Sequence, residues 1–462
     1  MTPGSEKELV EATSDDRMRL PTSRESIVIA AFVMLAFLVN GVWATSVLAV
    51  AGSVALFATL FAAWGTDGTA SGLVRRTAPW LAFSLTTYAV VSIWFPGVQV
   101  VGRGFFWYLW WAVPIVATGF AVLIASDLIA RGDLKNPRAL FIACYLFLGL
   151  AIAAIAFSAI AAEVPEIDVL EMHLQGSEAL WAGANPYTSI EVENTSPFEP
   201  DGAVISGYVY TPSVLIAYAS AWRLLGDPRW ATAISLAALV ILLVRPWVTS
   251  GPRVTLARIS TGLMIAALPF LELLINRGWT DALALPFFLG SALTWRSRPW
   301  LAAILLGVGV STKEYFIVLV PLLLLIPDEF KWRRVAAVGG TVAAIYAPFV
   351  VWDTAVLLGQ RAALGAAAHR SDSLGLAGLG IEVPALASIG IAVVVAIVFG
   401  LRQRSSVDLW LGAAAVLSVL FLTGFQAFIN YWMVVIGLAA IVLSMRIERT
   451  GGQPSARSSP DD

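Results

Sequence analysis

Long apolar runs dominate this chain, and runs of that kind leave few folds open. They recur at 27–44, 46–64, 79–95, 105–127, 138–161, 229–248, 257–275, 280–295, 299–312, 315–327, 334–352, 383–401, 407–424 and 428–445. At ~1.5 Å per residue, about 20 residues of helix cross the ~30 Å of hydrocarbon in a bilayer, where the backbone must satisfy its own hydrogen bonds. The runs predict an all-α, polytopic integral membrane protein with about fourteen transmembrane helices. Composition agrees: 58% of residues are hydrophobic and 13% charged, where a soluble domain is about a quarter charged. A net charge of −2 says nothing about nucleic acid, and no nucleic-acid partner is expected of a polytopic membrane protein. The single cysteine, Cys144, excludes an intramolecular disulfide.

The runs divide the chain. Residues 1–26 and 446–462 are polar and read as disordered cytoplasmic tails; the first lacks the layout of a signal peptide. Residues 27–127 carry four helices of unassigned role, and 138–445 form the main module. Its longest polar interruption is 162–210, inside an outer loop reaching to 228. That stretch holds nine acidic residues (Glu163, Glu166, Asp168, Glu171, Glu178, Glu191, Glu193, Glu199 and Asp201) and no Lys or Arg. A loop of that length without its own function is uncommon.

Lys and Arg concentrate on the cytoplasmic side of membrane proteins. With both termini inside, the clusters Arg75/Arg76, Arg131/Lys135/Arg138, Arg245/Arg253/Arg258, Arg296/Arg298, Lys331/Arg333/Arg334 and Arg402/Arg404 all fall inside under two conditions. The apolar segment 211–225 must lie in or on the outer leaflet, and 299–327 must cross twice as a hairpin tipped at Lys313. The outer face then gathers the acidic loop, the turn from Asn276 through Arg277 to Asp281, the Lys313 tip, and a 353–382 loop with Arg361, His369 and Arg370.

Within the loop, 168–181 reads as a helix with Asp168, Glu171 and Gln175 on one face, ending at Gly183 before an Asn185-Pro186-Tyr187 turn. A carboxylate just outside a membrane can accept a proton from an incoming hydroxyl; it can also simply hydrate a loop. Lys313 suits a lipid phosphate, an ion pair with Glu314, or a snorkelling position. Arg361 and Arg370 read as phosphate contacts or as hydrated loop residues. His173, beside Asp168 and Glu171, is a candidate ligand for a divalent cation, but no zinc spacing is present, and no metal or other cofactor is expected to be required.

Several short motifs follow one another: Asp168, then Gly183-Ala184-Asn185-Pro186-Tyr187, then Tyr210-Thr211-Pro212, Asn276 to Asp281, Gly307 to Lys313, and Asn430-Tyr431-Trp432. In that order the chain resembles the polyprenol-phosphate-sugar-dependent glycosyltransferases of the GT-C superfamily, most closely the bacterial membrane mannosyltransferases of glycosyltransferase family 87. It departs from them in the four extra N-terminal spans and in reading Tyr-Thr-Pro for Tyr-Pro-Pro. The resemblance implies a large first outer loop with juxtamembrane helices, an active site outside the cytoplasm in the cell membrane, and Asp168 as general base. It also implies a polyprenyl-phosphate-linked sugar as donor, with a glycolipid or glycan as acceptor. Substrate contacts would come from Glu171, His173, Asn185, Tyr187, Tyr210, Asn276, Arg277, Asp281, Lys313, Arg361, His369 and Arg370. The competing expectation is a transporter or flippase of lipid-linked sugars, which calls for ionisable residues along a central path at mid-membrane.

Overall fold

The computed structural model describes residues 113–451 apart from 123, 126–127, 129–136, 163, 166, 194–203, 249, 267, 269, 355–372 and 425–426. The spans expected before residue 113, the first tail, and Arg361, His369 and Arg370 lie outside the described residues.

The described chain is mostly helical. In order it comprises α1 (Val113–Val122), α2 (Arg138–Ala161), α3 (Asp168–Trp181), α4 (Pro186–Ser189), the strands β1 (Glu191–Glu193) and β2 (Val204–Ser206), α5 (Pro212–Leu225), α6 (Trp230–Val244), α7 (Pro252–Ala266), α8 (Leu271–Asn276), α9 (Ala284–Thr294), α10 (Pro299–Val310), α11 (Val320–Leu324), α12 (Lys331–Trp352), α13 (Ala385–Arg402), α14 (Ser406–Thr423) and α15 (Ile429–Gly451). Among the described residues five helices are long and apolar enough to cross a membrane: α2, α12, α13, α14 and Asn430–Ile447 within α15. A sixth arises if α5 and α6 count as one broken span. This is the architecture of a helical membrane protein.

Burial sorts these helices. The apolar windows of α14 and α15 are 78% and 83% buried, against 33% for α2, 28% for α13 and 11% for α12. α14 and α15 therefore form the centre of the bundle, packed on each other and on α7, α9 and α13. The outer helices turn Leu146, Leu150 and Phe157 (α2), Val351 (α12), and Leu386 and Leu401 (α13) outward. A long helix exposing large apolar side chains has lipid tails as its natural solvent.

Several expected spans are shorter or divided. The 257–275 run becomes α7 and α8, with Pro269 between them in sequence. The 315–327 run becomes a 3-10 turn (Glu314–Leu319) leading into α11, where Pro321 stands in the first turn. Proline donates no backbone N–H and disfavours an uninterrupted helix. The tail expected from residue 446 begins as helix instead, because α15 runs on to Gly451 and Ile447 (2% exposed) packs on Ala257 of α7.

Three local features shape one end of the bundle. α3 begins at Asp168 and ends at Trp181, beyond which Gly183 takes the left-handed conformation (φ 77°) that lacks a Cβ penalty only for glycine. β1 and β2 pair antiparallel, Val192 opposite Ile205, as a two-stranded hairpin above α3. α5 and α6 bend by 102° at 226–229. That corner is fixed by Arg229, whose guanidinium pairs with Asp227 (2.7 Å) and donates to the carbonyls of Ala159 (3.2 Å) and Ile160 (2.8 Å) at the end of α2. The last carbonyls of a helix lack partners within it, and a cation there satisfies both hydrogen bonding and dipole.

Candidate functional site

The polar end of the bundle is assembled from four segments that are far apart in sequence: the start of α3, the Tyr208–Ser213 approach to α5, the 276–281 turn, and the Ser311–Tyr315 connection. The approach to α5 is tied to that connection through Thr211, which donates to the Thr312 carbonyl (3.1 Å), and Ser213, which donates to the Ser311 carbonyl (2.6 Å). These bonds bring Tyr210 beside Lys313.

Asp281 is the hub. Its carboxylate is 1% exposed. One oxygen accepts from the Tyr315 hydroxyl (2.7 Å), and the other accepts from the Asn430 amide (2.5 Å) at the start of α15. The Lys313 ammonium stands 3.8 Å from the Tyr315-bound oxygen. It also lies 5.1 Å from the centre of the Tyr210 ring and 5.7 Å from that of Tyr431, within the reach of a cation–π attraction. Burial works against the charge of Lys313, but Asp281, Tyr431 and Glu314 more than offset it and hold the ammonium above the ordinary lysine value. The sequence offered Glu314 as the ion-pair partner; Glu314 is exposed, and the partner is Asp281.

Asp168, half-buried at the first position of α3, accepts from the Val169 amide (2.8 Å). Its charge reaches Tyr210: burial raises that phenol well above its usual range, and the negative charge of Asp168 raises it further. Asp168, Tyr210, Lys313 and Asp281 thus form one electrostatically connected row, acid at both ends and cation within.

Beside this row stands a column of aromatic rings. His173 is wholly buried on α3 and stacks on Tyr218 of α5, with centroids 3.8 Å apart and planes 18° from parallel. Its Nε2 lies 3.1 Å from the Gly278 carbonyl and its Nδ1 2.9 Å from the Tyr208 hydroxyl. A carbonyl only accepts, so Nε2 carries the proton and Nδ1 accepts from Tyr208. Tyr218 donates to the same Gly278 carbonyl (2.8 Å). Gly278 has φ 65°, and a Cβ there would sit 3.3 Å from both His173 and Leu170, so the turn needs glycine. Burial, and secondarily the Lys313 charge, push His173 down to about 3, against the pull of the Gly278 carbonyl.

The remaining expected site residues fall into place as follows. Asn185 caps α4 by accepting from the Tyr187 amide (3.1 Å), and Tyr187 donates its hydroxyl to the Tyr210 carbonyl (3.1 Å). Both support the row from behind. Asn276 is buried and donates to the Ala159 carbonyl (3.2 Å), tying α8 to α2. Arg277 is half-buried with its guanidinium 5.2 Å from the Trp279 ring, and burial lowers its pKa. Glu171 is exposed and accepts from Gln175 (2.8 Å). His173 was a candidate cation ligand with Asp168 and Glu171, but both its nitrogens are committed to protein groups. Among the described residues no three His, Cys, Asp or Glu side chains gather as a metal site. Tyr208, Tyr218 and Tyr315 are not singled out by the sequence, where the Tyr-rich stretch 208–210 is the available signal; Asn430 appears there only within the Asn430-Tyr431-Trp432 motif, with no site role.

Chemically, the row offers a carboxylate able to take a proton and a buried cation whose counter-charge an incoming anion can replace. Comparison with family models, with curated proteins and with solved structures finds no match to this chain.

Proposed function

We propose that this chain is an inverting membrane glycosyltransferase that moves a sugar, as a mannosyl group, from a polyprenyl-phosphate donor to a glycolipid or glycan acceptor outside the cytoplasm. One observation carries the reading: the Lys313 ammonium stands 5.1 Å from the centre of the Tyr210 ring, the phenol that the negative charge of Asp168 also acts on. A proton acceptor and an anion-stabilising cation are the two groups that glycosyl transfer from a phosphate requires. The acceptor hydroxyl gives its proton to Asp168 while its oxygen forms a bond to the anomeric carbon. The bond from that carbon to the phosphate oxygen breaks, and polyprenyl phosphate leaves with the electron pair, its new charge stabilised by Lys313. In this proposal the protein crosses the membrane fourteen times, both termini are cytoplasmic, and α3 and α5 lie along the outer surface.

The test is transfer by the purified full chain in nanodiscs, with short-chain polyprenyl-phosphate hexoses and envelope glycolipid fractions, read by mass spectrometry. Product from the polyprenyl-phosphate sugar but not from a nucleotide sugar is expected. Movement of the lipid-linked sugar across vesicles with no transfer to any acceptor would replace this reading with a flippase.

A further inference from the structure

Lys313 and Tyr315 approach the same oxygen of Asp281. The Tyr315 hydroxyl donates to Oδ1 at 2.7 Å, while the Lys313 ammonium stands 3.8 Å from it, about 1 Å beyond a charge-assisted hydrogen bond. Oδ2 accepts from the Asn430 amide (2.5 Å). Two neutral donors thus tether the carboxylate, and the cation beside it is left outside bonding distance.

Both tethers are firmly placed. Tyr315 lies in the 3-10 turn that follows Lys313, its ring packed edge to face with Phe316, Phe421 and Tyr431 at centroid distances of 4.7, 5.2 and 5.7 Å. Asn430 is 6% exposed, and its Oδ1 has no hydrogen-bond partner. A buried amide oxygen without a donor carries a desolvation penalty. The Asn430 amide therefore serves Asp281 while its own oxygen goes unmatched.

The 3.8 Å separation has a chemical consequence. A buried lysine bonded directly to a carboxylate must lose that bond before it can serve another anion. Lys313 instead keeps the Coulomb attraction, which falls only as the inverse of distance, and forgoes the bond. Without the Tyr315 hydroxyl, Oδ1 would be short of a donor in a buried setting, and the Lys313 ammonium is at hand to close on it.

We infer that Tyr315 and Asn430 are positioning residues: they hold the Asp281 carboxylate off Lys313 and so leave the ammonium available to the phosphate of an incoming lipid-linked sugar. This inference rests on the proposed role of Lys313 as the phosphate contact, and the test separates the two.

The full chain in nanodiscs is titrated with a short-chain polyprenyl phosphate and with the matching neutral polyprenol, and the unfolding temperature of each variant is measured in parallel. The variants are Lys313→Gln, Tyr315→Phe, Asn430→Leu and Val240→Ala; Val240 is buried on α6 against Gly262 of α7. Wild type should bind the phosphate in preference to the alcohol, and Lys313→Gln should lose that preference. Tyr315→Phe keeps the ring and removes the donor, so it should weaken phosphate binding about tenfold and leave the alcohol within about twofold. Asn430→Leu should act in the same direction, and it decides if Tyr315→Phe fails to fold. Val240→Ala should lose stability and keep the preference. Adding Asp281→Asn to Tyr315→Phe removes the group that captures Lys313 and should restore phosphate binding, which a merely structural loss would not do. A wild type without preference for the phosphate overturns the role of Lys313 and this inference with it. A preference lost in Lys313→Gln but intact in Tyr315→Phe and Asn430→Leu, or lost equally in Val240→Ala, overturns the inference alone.

Discussion

The Lys313 ammonium and the Asp281 carboxylate stand 3.8 Å apart, yet the closer ligands of Asp281 are neutral: the hydroxyl of Tyr315 at 2.7 Å and the amide of Asn430 at 2.5 Å. Each oxygen of Asp281 thus already accepts one hydrogen bond from a neutral group closer than Lys313. The lysine is held by charge and by aromatic faces rather than by a tight contact, which leaves its ammonium able to turn toward another anion.

Removing one member of a buried ion pair leaves the other uncompensated, at a cost of about 3–5 kcal/mol, while removing both is much milder. Asp281→Asn and Lys313→Gln should each destabilise the chain by that order, and the double variant by clearly less than their sum. Glu314→Gln, at an exposed position, should change stability by under about 0.5 kcal/mol. A double-mutant cycle on unfolding in detergent measures the coupling. Strict additivity would mean the pair does not interact, and a Glu314→Gln effect as large as that of Asp281→Asn would return the partnership to Glu314.

The catalytic assignment of Asp168 gives a separate expectation. Asp168→Asn keeps the shape and the local acceptor for the Val169 amide while removing the basic charge, so turnover should fall by about 10²–10⁴ with folding intact. Glu171→Gln and Glu178→Gln, both at exposed positions of α3, should retain transfer within about threefold, the usual range for surface changes away from the chemistry. Near-normal transfer by Asp168→Asn, measured at saturating donor and acceptor, would remove it from the mechanism.

Much of the frame was legible in the sequence, and the residues show why. Asp168 and Gly183 bracket α3 because a first-turn acid and a left-handed glycine are local signals, and the apolar lengths of α2, α13 and α14 carry their own boundaries. The pairing of buried polar groups was not legible. Lys313 has an acid beside it in sequence, but the 3-10 turn that begins at Glu314 leaves that side chain exposed, and the partner arrives from the 276–281 turn. His173 looked like a ligand because it neighbours two acids along α3. Only the tertiary fold reveals that both its nitrogens are consumed by Tyr208 and Gly278.

His173 makes stability depend on pH with a definite sign. Folded, its pKa is pushed from 6.5 to about 3, so between those values the unfolded chain binds a proton that the folded chain does not. Stability from this group is fully present above about pH 6.5 and is lost toward pH 3 at ~1.4 kcal/mol per pH unit, about 2 kcal/mol by pH 5. The unfolding midpoint of the full chain should fall from pH 7.5 to pH 5, and His173→Gln should flatten most of that fall. Parallel slopes for the two proteins would show that another group controls the acid limb.

Sidedness can be read with single cysteines in a Cys144→Ala background. Cys144 is buried and free, and alanine at a buried small position on α2 keeps the packing. Glu178 on α3 and Ser297 in the α9–α10 connection are both exposed, so neither substitution disturbs a contact on which the fold depends. In the proposed layout Glu178→Cys faces outward with the Asp168 row, and Ser297→Cys faces the cytoplasm with Arg296 and Arg298. In intact cells a membrane-impermeant maleimide should label Glu178→Cys at once and Ser297→Cys only after permeabilisation. The two positions flank opposite ends of the described bundle, so a reversed pattern would put Asp168 in the cytoplasm, where an outer-leaflet donor cannot meet it. Labelling of both from outside would mean that α9 and α10 do not cross as a hairpin tipped at Ser297, the arrangement that returns Lys313 to the side of Asp281.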